Sequence, residues 1–444
     1  MVSGRGVVDG GVLKPRKTKK SKFDKTVTAP QVCAAFNSDK IYQMKFASRL
    51  DHVETSAIRE RFKLLGKPGI ISFAGGFPDS AMFDVEGLQE ATDKVFQQEP
   101  GGALQYGATE GYPALREALS QFMASKGVQV APDGLIVTTG SQQALDLIGK
   151  TLVSDNDTVL VEAPTFLATI QCFRLYGAQV IGVPIDADGV QVDALEALIA
   201  QHKPQFVYLI PTFGNPSGAT LSLERRKRIL ELAVRTQTVL VEDDPYGDLY
   251  FDQPPPPSLL ALSADVPGSR ELLVYCGSLS KVLSPGLRIG WMIAPPELLA
   301  KATMCKQFSD AHTSTFAQAT AAQYLRAGRM PATLDRVRAV YAERARTMSQ
   351  LLQAQLGSAF QFTPPGGGLF LWGQLTGQGP SGAQTLQDAS ELARRAIDQG
   401  VAFVPGAPFY AHNPNPAALR LSFATVGLDK IQEGLGRLAK ALLG

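Results

Sequence analysis

Between about residues 100 and 300, short runs of apolar, β-branched side chains alternate with stretches whose apolar positions recur every three or four residues. The runs are LIVTT (135–139), TVLVEA (158–163), QVIGVPI (179–185), FVYLIP (206–211), TVLVED (238–243), LLVYCG (272–277) and IGWMIA (289–294). Strands so uniformly apolar are covered on both faces. The pattern therefore predicts an α/β architecture: a mostly parallel seven-stranded sheet between helices, with ligands at the carboxyl ends of its strands. Past Ala327 the texture changes. A helical period runs from Met330 to Leu356, followed by FQFTPPGGGLFLWGQL, a helix near 386–399, the short AFVPGAPF, the strand-like ALRLSFATV and a closing helix. That mixture predicts a smaller α+β domain. The expected partition is a disordered basic segment over 1–44, an N-terminal part of the small domain over 45–94, the large domain over 95–327 and the rest of the small domain over 328–444.

Composition narrows the function classes. With 444 residues, 45% apolar and 19% charged, the chain is long enough for both domains. Its formal charge is +2, and much of the positive excess falls between Lys14 and Lys25, so the remaining surface offers no field for nucleic acid or an anionic membrane. Cys33, Cys172, Cys276 and Cys305 form no C-x-x-C pair, and His52, His202, His312 and His412 have no ligand-like spacing, so no metal and no disulfide framework are expected. No apolar run reaches the roughly 18 residues of a membrane span, and no charged segment leads into a signal-type apolar stretch. A cytoplasmic, reducing setting is expected. The opening segment to Met44, with its KPRKTKKSK run, has no sustained period and reads as disordered. A nucleic-acid-binding arm, a targeting peptide and a true start at Met44 compete with that reading; the second lacks the Arg and Ser enrichment and amphipathic period of a transit peptide.

Four strand ends carry chemistry. In GSLSKVLSPGLRIGW (277–291), Lys281 follows a buried strand amid small residues, where a desolvated amine of lowered pKa can form an imine. Ser278, Ser280 and Arg288 supply two hydroxyls and a forked cation suited to a phosphate. For the SLSK string alone, a surface lysine in a loop explains as much. In TTGSQQALD, Gly140 ends a strand and Ser141, Gln142 and Gln143 open a helix whose free N–H groups and dipole favour an anion; a plain N-cap by Ser141 is the simpler reading. PTFGNPSGAT presents Asn215, and VEDDPYGDLYF presents Asp243, Asp244 and Tyr246. A carboxylate at an apolar strand end is costly unless paired, and a protonated heterocyclic nitrogen would pair Asp243, with Asn215 and Tyr246 donating to a phenolic oxygen on the same ring. An ordinary Asn-Pro turn and ordinary loop carboxylates are the alternatives.

Taken together and in order, FAGGFPD, LQYGATEGY, TTGSQQALD, PTFGNPSG, VEDDPYG, GSLSKVLSPGLRIG and LRLSF resemble the fold-type I, class I/II aminotransferases, most of all the branch of 2-aminoadipate and kynurenine aminotransferases. The likeness runs from about Phe46 to Gly444. It implies pyridoxal 5′-phosphate as cofactor and the transferase fold of that family. It also implies a catalytic set of Lys281, Asp243 and Tyr246: Lys281 holds the cofactor and then moves the proton between Cα and C4′, Asp243 pairs with the pyridine nitrogen, and Tyr246 with Asn215 donates to the ring oxygen. Ser141, Gln142, Ser278, Ser280 and Arg288 match the phosphate cradle. Tyr106 matches the tyrosine that reaches the neighbouring subunit's phosphate, which implies a homodimer with shared active sites. Phe166 stands where an aromatic ring stacks on the cofactor; tyrosine is common there, so a hydroxyl is lost and the π-face kept. Arg420 matches the fork that grips the substrate α-carboxylate, with Asn215 and the backbone of Gly75 and Gly76 beside it. Ser56 and Arg59 match a mobile helix that brings an arginine to acidic side chains, although Arg59 fits equally well as a solvated helix residue.

The implied reaction is ping-pong transfer of an amino group from an L-amino acid to a 2-oxo acid such as 2-oxoglutarate, with donors of the 2-aminoadipate, aromatic, branched-chain or glutamate type. Two other readings stay open: a C–S lyase or related amino-acid lyase on the same fold, and the effector domain of a transcription regulator. The second lacks a helix-turn-helix pattern before the domain.

Overall fold

The computed structural model describes residues 44–50, 69–379 and 382–444. Met1–Ala47 is set off from Ser48–Gly444, and the architecture below is that of the latter. In chain order its strands are β1 (Ile71–Ser72), β2 (Leu135–Thr139), β3 (Thr158–Ala163), β4 (Gln179–Asp186), β5 (Gly189–Val190), β6 (Phe206–Leu209), β7 (Val239–Asp244), β8 (Leu273–Ser278), β9 (Ile289–Ile293), β10 (Phe360–Phe362), β11 (Phe370–Leu375), β12 (Val401–Ala402), β13 (Val404–Pro405) and β14 (Ala418–Ser422).

The large sheet has the order β2-β9-β8-β7-β6-β3-β4-β5. All seven apolar runs form strands in it, and an eighth, the two-residue β5, folds back antiparallel on β4. A strand of two residues is too short to show alternation, so the expected count of seven is corrected to eight. Strands β3, β4, β6, β7 and β8 pair in parallel, whereas β9 is antiparallel to both its neighbours, β2 and β8. The central strands are largely buried, β6, β8 and β9 at every position. Helices such as Ser141–Leu152 and Leu223–Thr236 cover them with amphipathic stripes, the first burying Ala144, Leu145, Leu147 and Ile148.

Beyond residue 327, the helix Met330–Leu356 buries Leu334, Val337, Tyr341, Ala345, Met348, Leu352 and Leu356, a three-and-four spacing that lays one stripe along its length. Pro331 sits harmlessly in its first turn, and Gly357, at φ 50°, ends it. A four-stranded antiparallel sheet follows in the order β10-β11-β14-β13, and β1 pairs in parallel with β12. The helix anticipated near 386–399 spans Ala389–Asp398, because Asp388 accepts from the backbone N–H groups of Ser390 and Glu391 and so fixes its start.

One rim of the large sheet brings the predicted site residues together. The parallel strands β2, β3, β6, β7 and β8 all end there, delivering Gly140, Phe166, Asn215, Asp243 with Tyr246, and Lys281 in turn. Because β9 runs the other way it starts at the same edge, and so Arg288 stands beside them.

Candidate active site

Three acids end β7 in succession, and the pleat separates them. Alternation sends Asp243 to the face shared with Val241 and Tyr208, and Glu242 and Asp244 to the opposite face. Glu242 accepts from the N–H groups of Leu259 and Leu260, at 2.8 and 2.9 Å. Asp244 is met by Lys126 Nζ at 3.2 Å, the Tyr275 hydroxyl at 2.8 Å and the Gly247 N–H at 2.9 Å, partners that outweigh burial and hold its pKa below the usual aspartate value. Asp243 differs. Its Oδ2 accepts from the Tyr208 hydroxyl at 2.7 Å, while its buried Oδ1 has no partner among the described residues. Burial pushes this carboxyl up to about 7, against the opposing pull of Tyr208 and Lys281.

Lys281 sits three residues beyond β8, half-buried, with Nζ donating to the Gly76 carbonyl at 2.8 Å. Burial lowers its pKa to about 8, assisted by the charges of Arg420 and Arg288 and opposed by Asp243. Such an amine is deprotonated in part near neutral pH, far more than an ordinary lysine, and so can act as a nucleophile.

Arg288 has a left-handed backbone, φ 55°, which costs a non-glycine residue about 1–3 kcal/mol and persists only where its surroundings impose it. Its guanidinium meets Ser280 Oγ and the Thr139 carbonyl, both at 3.3 Å, and the Ser278 hydroxyl accepts from the Ser280 N–H. Beside it, Gly140 at φ 76° turns the chain into the helix that starts at Ser141. A Cβ on Gly140 would stand 2.3 Å from Arg288 Nη2, so only glycine leaves the cradle open between that cation and the free N–H groups of the helix. Ser141 is half-buried and Gln142 exposed at the helix start. Gln143 serves the turn itself, accepting from the Thr139 N–H and from Lys306 Nζ, and its amide donates to Asp310.

Arg420, in β14, lies 3% exposed, and its fork is engaged by Asn215 Oδ1 at 2.8 Å and the Ala74 carbonyl at 2.9 Å, leaving Nε without a partner among the described residues. Phe370 and Phe409 face its guanidinium at 4.1 and 5.0 Å. Tyr246 packs edge-on against Phe370 and beside Asn215, and burial raises its hydroxyl well above the usual range. Gly75 and Gly76 lie on the segment between Ala74 and the Lys281 contact, and a Cβ on Gly76 would press on Phe370 at 3.3 Å.

The fold thus gathers Lys281, Asp243, Tyr246, Asn215, Arg420, Gly76, Ser278, Ser280 and Arg288. Phe166 is half-buried at the start of helix Leu167–Leu175, after β3. Tyr106 is not part of this cluster: it is 84% exposed, with its ring edge-on to His312 at 5.7 Å. Ser56 and Arg59 lie outside the described residues, as does the basic run near the N-terminus. Sequence reasoning missed Tyr208, Phe370, Phe409 and Arg226. The last is fully buried and ties the carbonyls of Pro211, Leu221 and Pro257 together, which fixes the loop leading to Asn215. A tyrosine inside the apolar run FVYL was the available signal, since a buried phenol calls for a partner.

Such an edge, with an amine, a carboxylate lacking one partner, a cation beside a helix start and a buried guanidinium, suits a cofactor-dependent group transferase. The chain belongs to the class I and II aminotransferases, matching that family over residues 69–438. It is 41% identical to a 2-aminoadipate transaminase of Thermus thermophilus, over 90% of this chain and 96% of the relative. An aromatic-amino-acid aminotransferase of Thermococcus litoralis is 37% identical over 90% of this chain and 94% of that one. Among solved structures, the Thermus thermophilus alpha-aminoadipate aminotransferase complexed with N-(5′-phosphopyridoxyl)-L-leucine superposes with a TM-score of 0.81 at 40% identity, covering 90% of this chain and 97% of that one. The protein is an aminotransferase, and it moves an amino group between an amino acid and a 2-oxo acid.

Proposed function

We propose that this edge of the sheet is the transamination site, with Lys281 as proton carrier, Asp243 as partner of the ring nitrogen and Arg420 as anchor of the substrate carboxylate. The cofactor is pyridoxal 5′-phosphate, which supplies an aldehyde to accept the amino group and a ring to delocalise the electron pair left at Cα. The observation that carries the reading is the Asp243 carboxylate: buried, with one oxygen satisfied and the other partnerless, it fits a ring N–H. At the other end, the opening kept by Gly140 among Arg288, Ser280 and the helix start fits the phosphate, with Ser141, Gln142 and Ser278 as further donors.

The chain's own groups then divide the work. Arg420 presents a fork that can exchange its bonds to Asn215 and the Ala74 carbonyl for a bidentate hold on a carboxylate, an anion it meets without solvent competition. Asn215 and Tyr246 would donate to the ring oxygen, and Phe166 would offer a π-face. Lys281, neutral in part near pH 8, would take the proton from Cα and return it two atoms away, on the far side of the amino nitrogen, and one site would serve both half-reactions in turn. The named activities of the relatives support 2-aminoadipate and aromatic amino acids as donors, and 2-oxoglutarate is proposed as the acceptor. Arg59 is proposed for the acidic donors alone. Arg59→Ala then raises KM for 2-aminoadipate and spares leucine; equal losses on both discard that role.

We further propose a homodimer in which Tyr106 reaches the partner's phosphate. Leu104, Tyr106 and Phe308 are 68%, 84% and 84% exposed, large side chains with apolar surface that a second copy could cover. Sedimentation at a single-chain mass rejects it. The partition into domains over 45–94, 95–327 and 328–444 and a cytoplasmic setting complete the proposal; among the described residues no helix is long and apolar enough to cross a membrane.

The test is a panel of L-amino acids with 2-oxoglutarate, followed by cofactor absorbance and by glutamate formation. Glutamate in step with consumption of 2-aminoadipate or aromatic donors is expected. Pyruvate and ammonia released from cysteine-type substrates without an oxo acid would establish the lyase instead.

A further inference from the structure

Tyr208 belongs to the core of the sheet, yet its hydroxyl donates to an atom of the site. It is 0% exposed, pairs in register with Val241 on β7, and reaches diagonally two residues along that strand to Asp243 Oδ2 at 2.7 Å. The ring is held from the helix side by Phe173, edge-on at 6.0 Å, so the hydroxyl has one direction to point. The other carboxylate oxygen, Oδ1, is left bare.

We infer that Tyr208 is a positioning residue for the cofactor: by occupying Oδ2 it turns Oδ1 toward the ring nitrogen and weakens the carboxylate's claim on that nitrogen's proton, so the ring stays protonated. The inference rests on the proposed pairing of Asp243 with the ring. A proton shared between a pyridine nitrogen and a carboxylate settles according to their relative basicity, and a hydrogen bond donated to the carboxylate makes it the weaker base. The donor itself does not titrate in the working range, because burial and the Asp243 charge raise the Tyr208 hydroxyl well above its usual value. The remaining titratable groups around Asp243 are Glu162 at the end of β3, Cys276 opposite it on β8, Asp244 beside it, Tyr246 and Lys281. Glu162 is pushed up to about 8 and is largely neutral, and Cys276 and Tyr246 stay protonated. Asp244 bears a charge that opposes ionisation of Asp243, and the Lys281 amine favours it. No other side chain among the described residues donates a hydrogen bond to the Asp243 carboxylate.

The test is Tyr208→Phe in the full-length protein reconstituted with pyridoxal phosphate carrying ¹⁵N in its ring. The ¹⁵N resonance of the parent protein is expected at the pyridinium position and that of Tyr208→Phe displaced toward neutral pyridine. In the variant kcat falls about tenfold and KM is little changed. Reconstitution with the 1-deaza cofactor, which has no ring nitrogen, removes the difference between the two proteins. An unmoved ¹⁵N resonance in Tyr208→Phe overturns the inference, even if the variant melts earlier, since lost packing alone does not shift that signal. Asp243→Asn separates the two levels of the argument. If it displaces the resonance while Tyr208→Phe does not, only the role of Tyr208 falls. If neither variant displaces it, the pairing of Asp243 with the ring falls as well.

Discussion

Two lysine–aspartate pairs stand back to back across β7, and they end in opposite states. On one face Lys126 touches Asp244 at 3.2 Å and Asp248 at 3.1 Å, and those two carboxylates raise its pKa above the ordinary lysine value despite burial. On the other, Lys281 bonds to the Gly76 carbonyl, is flanked by Arg420 and Arg288, and is lowered to about 8, while Asp243 is raised to about 7. Adjacent residues of one strand thus serve different ends. The Lys126 pair is closed upon itself and stabilises the fold. The Lys281 pair is held open, and its unspent electrostatics are available to a ligand with a cation at one end and an aldehyde at the other.

Several substitutions break the comparison from either side. Lys281→Ala removes the residue proposed as both attachment point and proton carrier. Turnover should fall roughly 10⁴-fold, and borohydride should no longer fix the cofactor to the chain, as read by intact mass. Asp243→Asn keeps the shape and deletes the charge. A loss in kcat on the order of 10²–10³-fold is expected from steady-state rates, the scale of one removed electrostatic contact in a buried site.

Lys126→Ala works on the closed pair. It leaves Asp244 buried with one strong partner fewer, and the melting temperature should report a loss of about 2–3 kcal/mol with catalysis nearly intact once folded. The pH dependence has a definite sign. The folded-state pKa of Asp244 is depressed, so its contribution is present above the unfolded value of about 3.9 and is lost as pH falls through the folded one. The gap between parent and variant should therefore be widest near neutral pH and close in acid; a gap that widens in acid contradicts the pairing.

The smallest effect concerns the open pair. Attachment of pyridoxal, which lacks the phosphate, to the cofactor-free protein should speed up as pH rises and level off above about 8. A midpoint near 10.5 would show an ordinary exposed lysine. In Arg288→Gln the midpoint should move upward by a fraction of a unit, because a like charge that had opposed protonation is gone.

What the sequence disclosed follows from the range of its signals. The seven longer strands announced themselves because each is a continuous apolar run, and Lys281, Asp243 and Arg288 stood out because charged residues border such runs. Strand β5 was invisible at two residues. The bond from Tyr208 to Asp243 depends on the register between β6 and β7, and a shift by one residue would point the phenol to the other face. The placement of Phe370 beside Arg420 likewise depends on the pairing of β11 with β14, which no local pattern specifies, and Phe409 reaches the same guanidinium from the short turn Ala407–Phe409. Tyr106 shows the converse: its string was plain to read, but its exposed ring has no work within a single chain.

Because β9 reverses direction, only six residues separate Lys281 from Arg288, and both emerge on the same rim. That short hairpin is a ruler. It sets the backbone span between the group that would hold one end of the cofactor and the group that would clamp the other. Lengthening or shortening 282–287 by even one residue would therefore miscalibrate the site while leaving every functional side chain present.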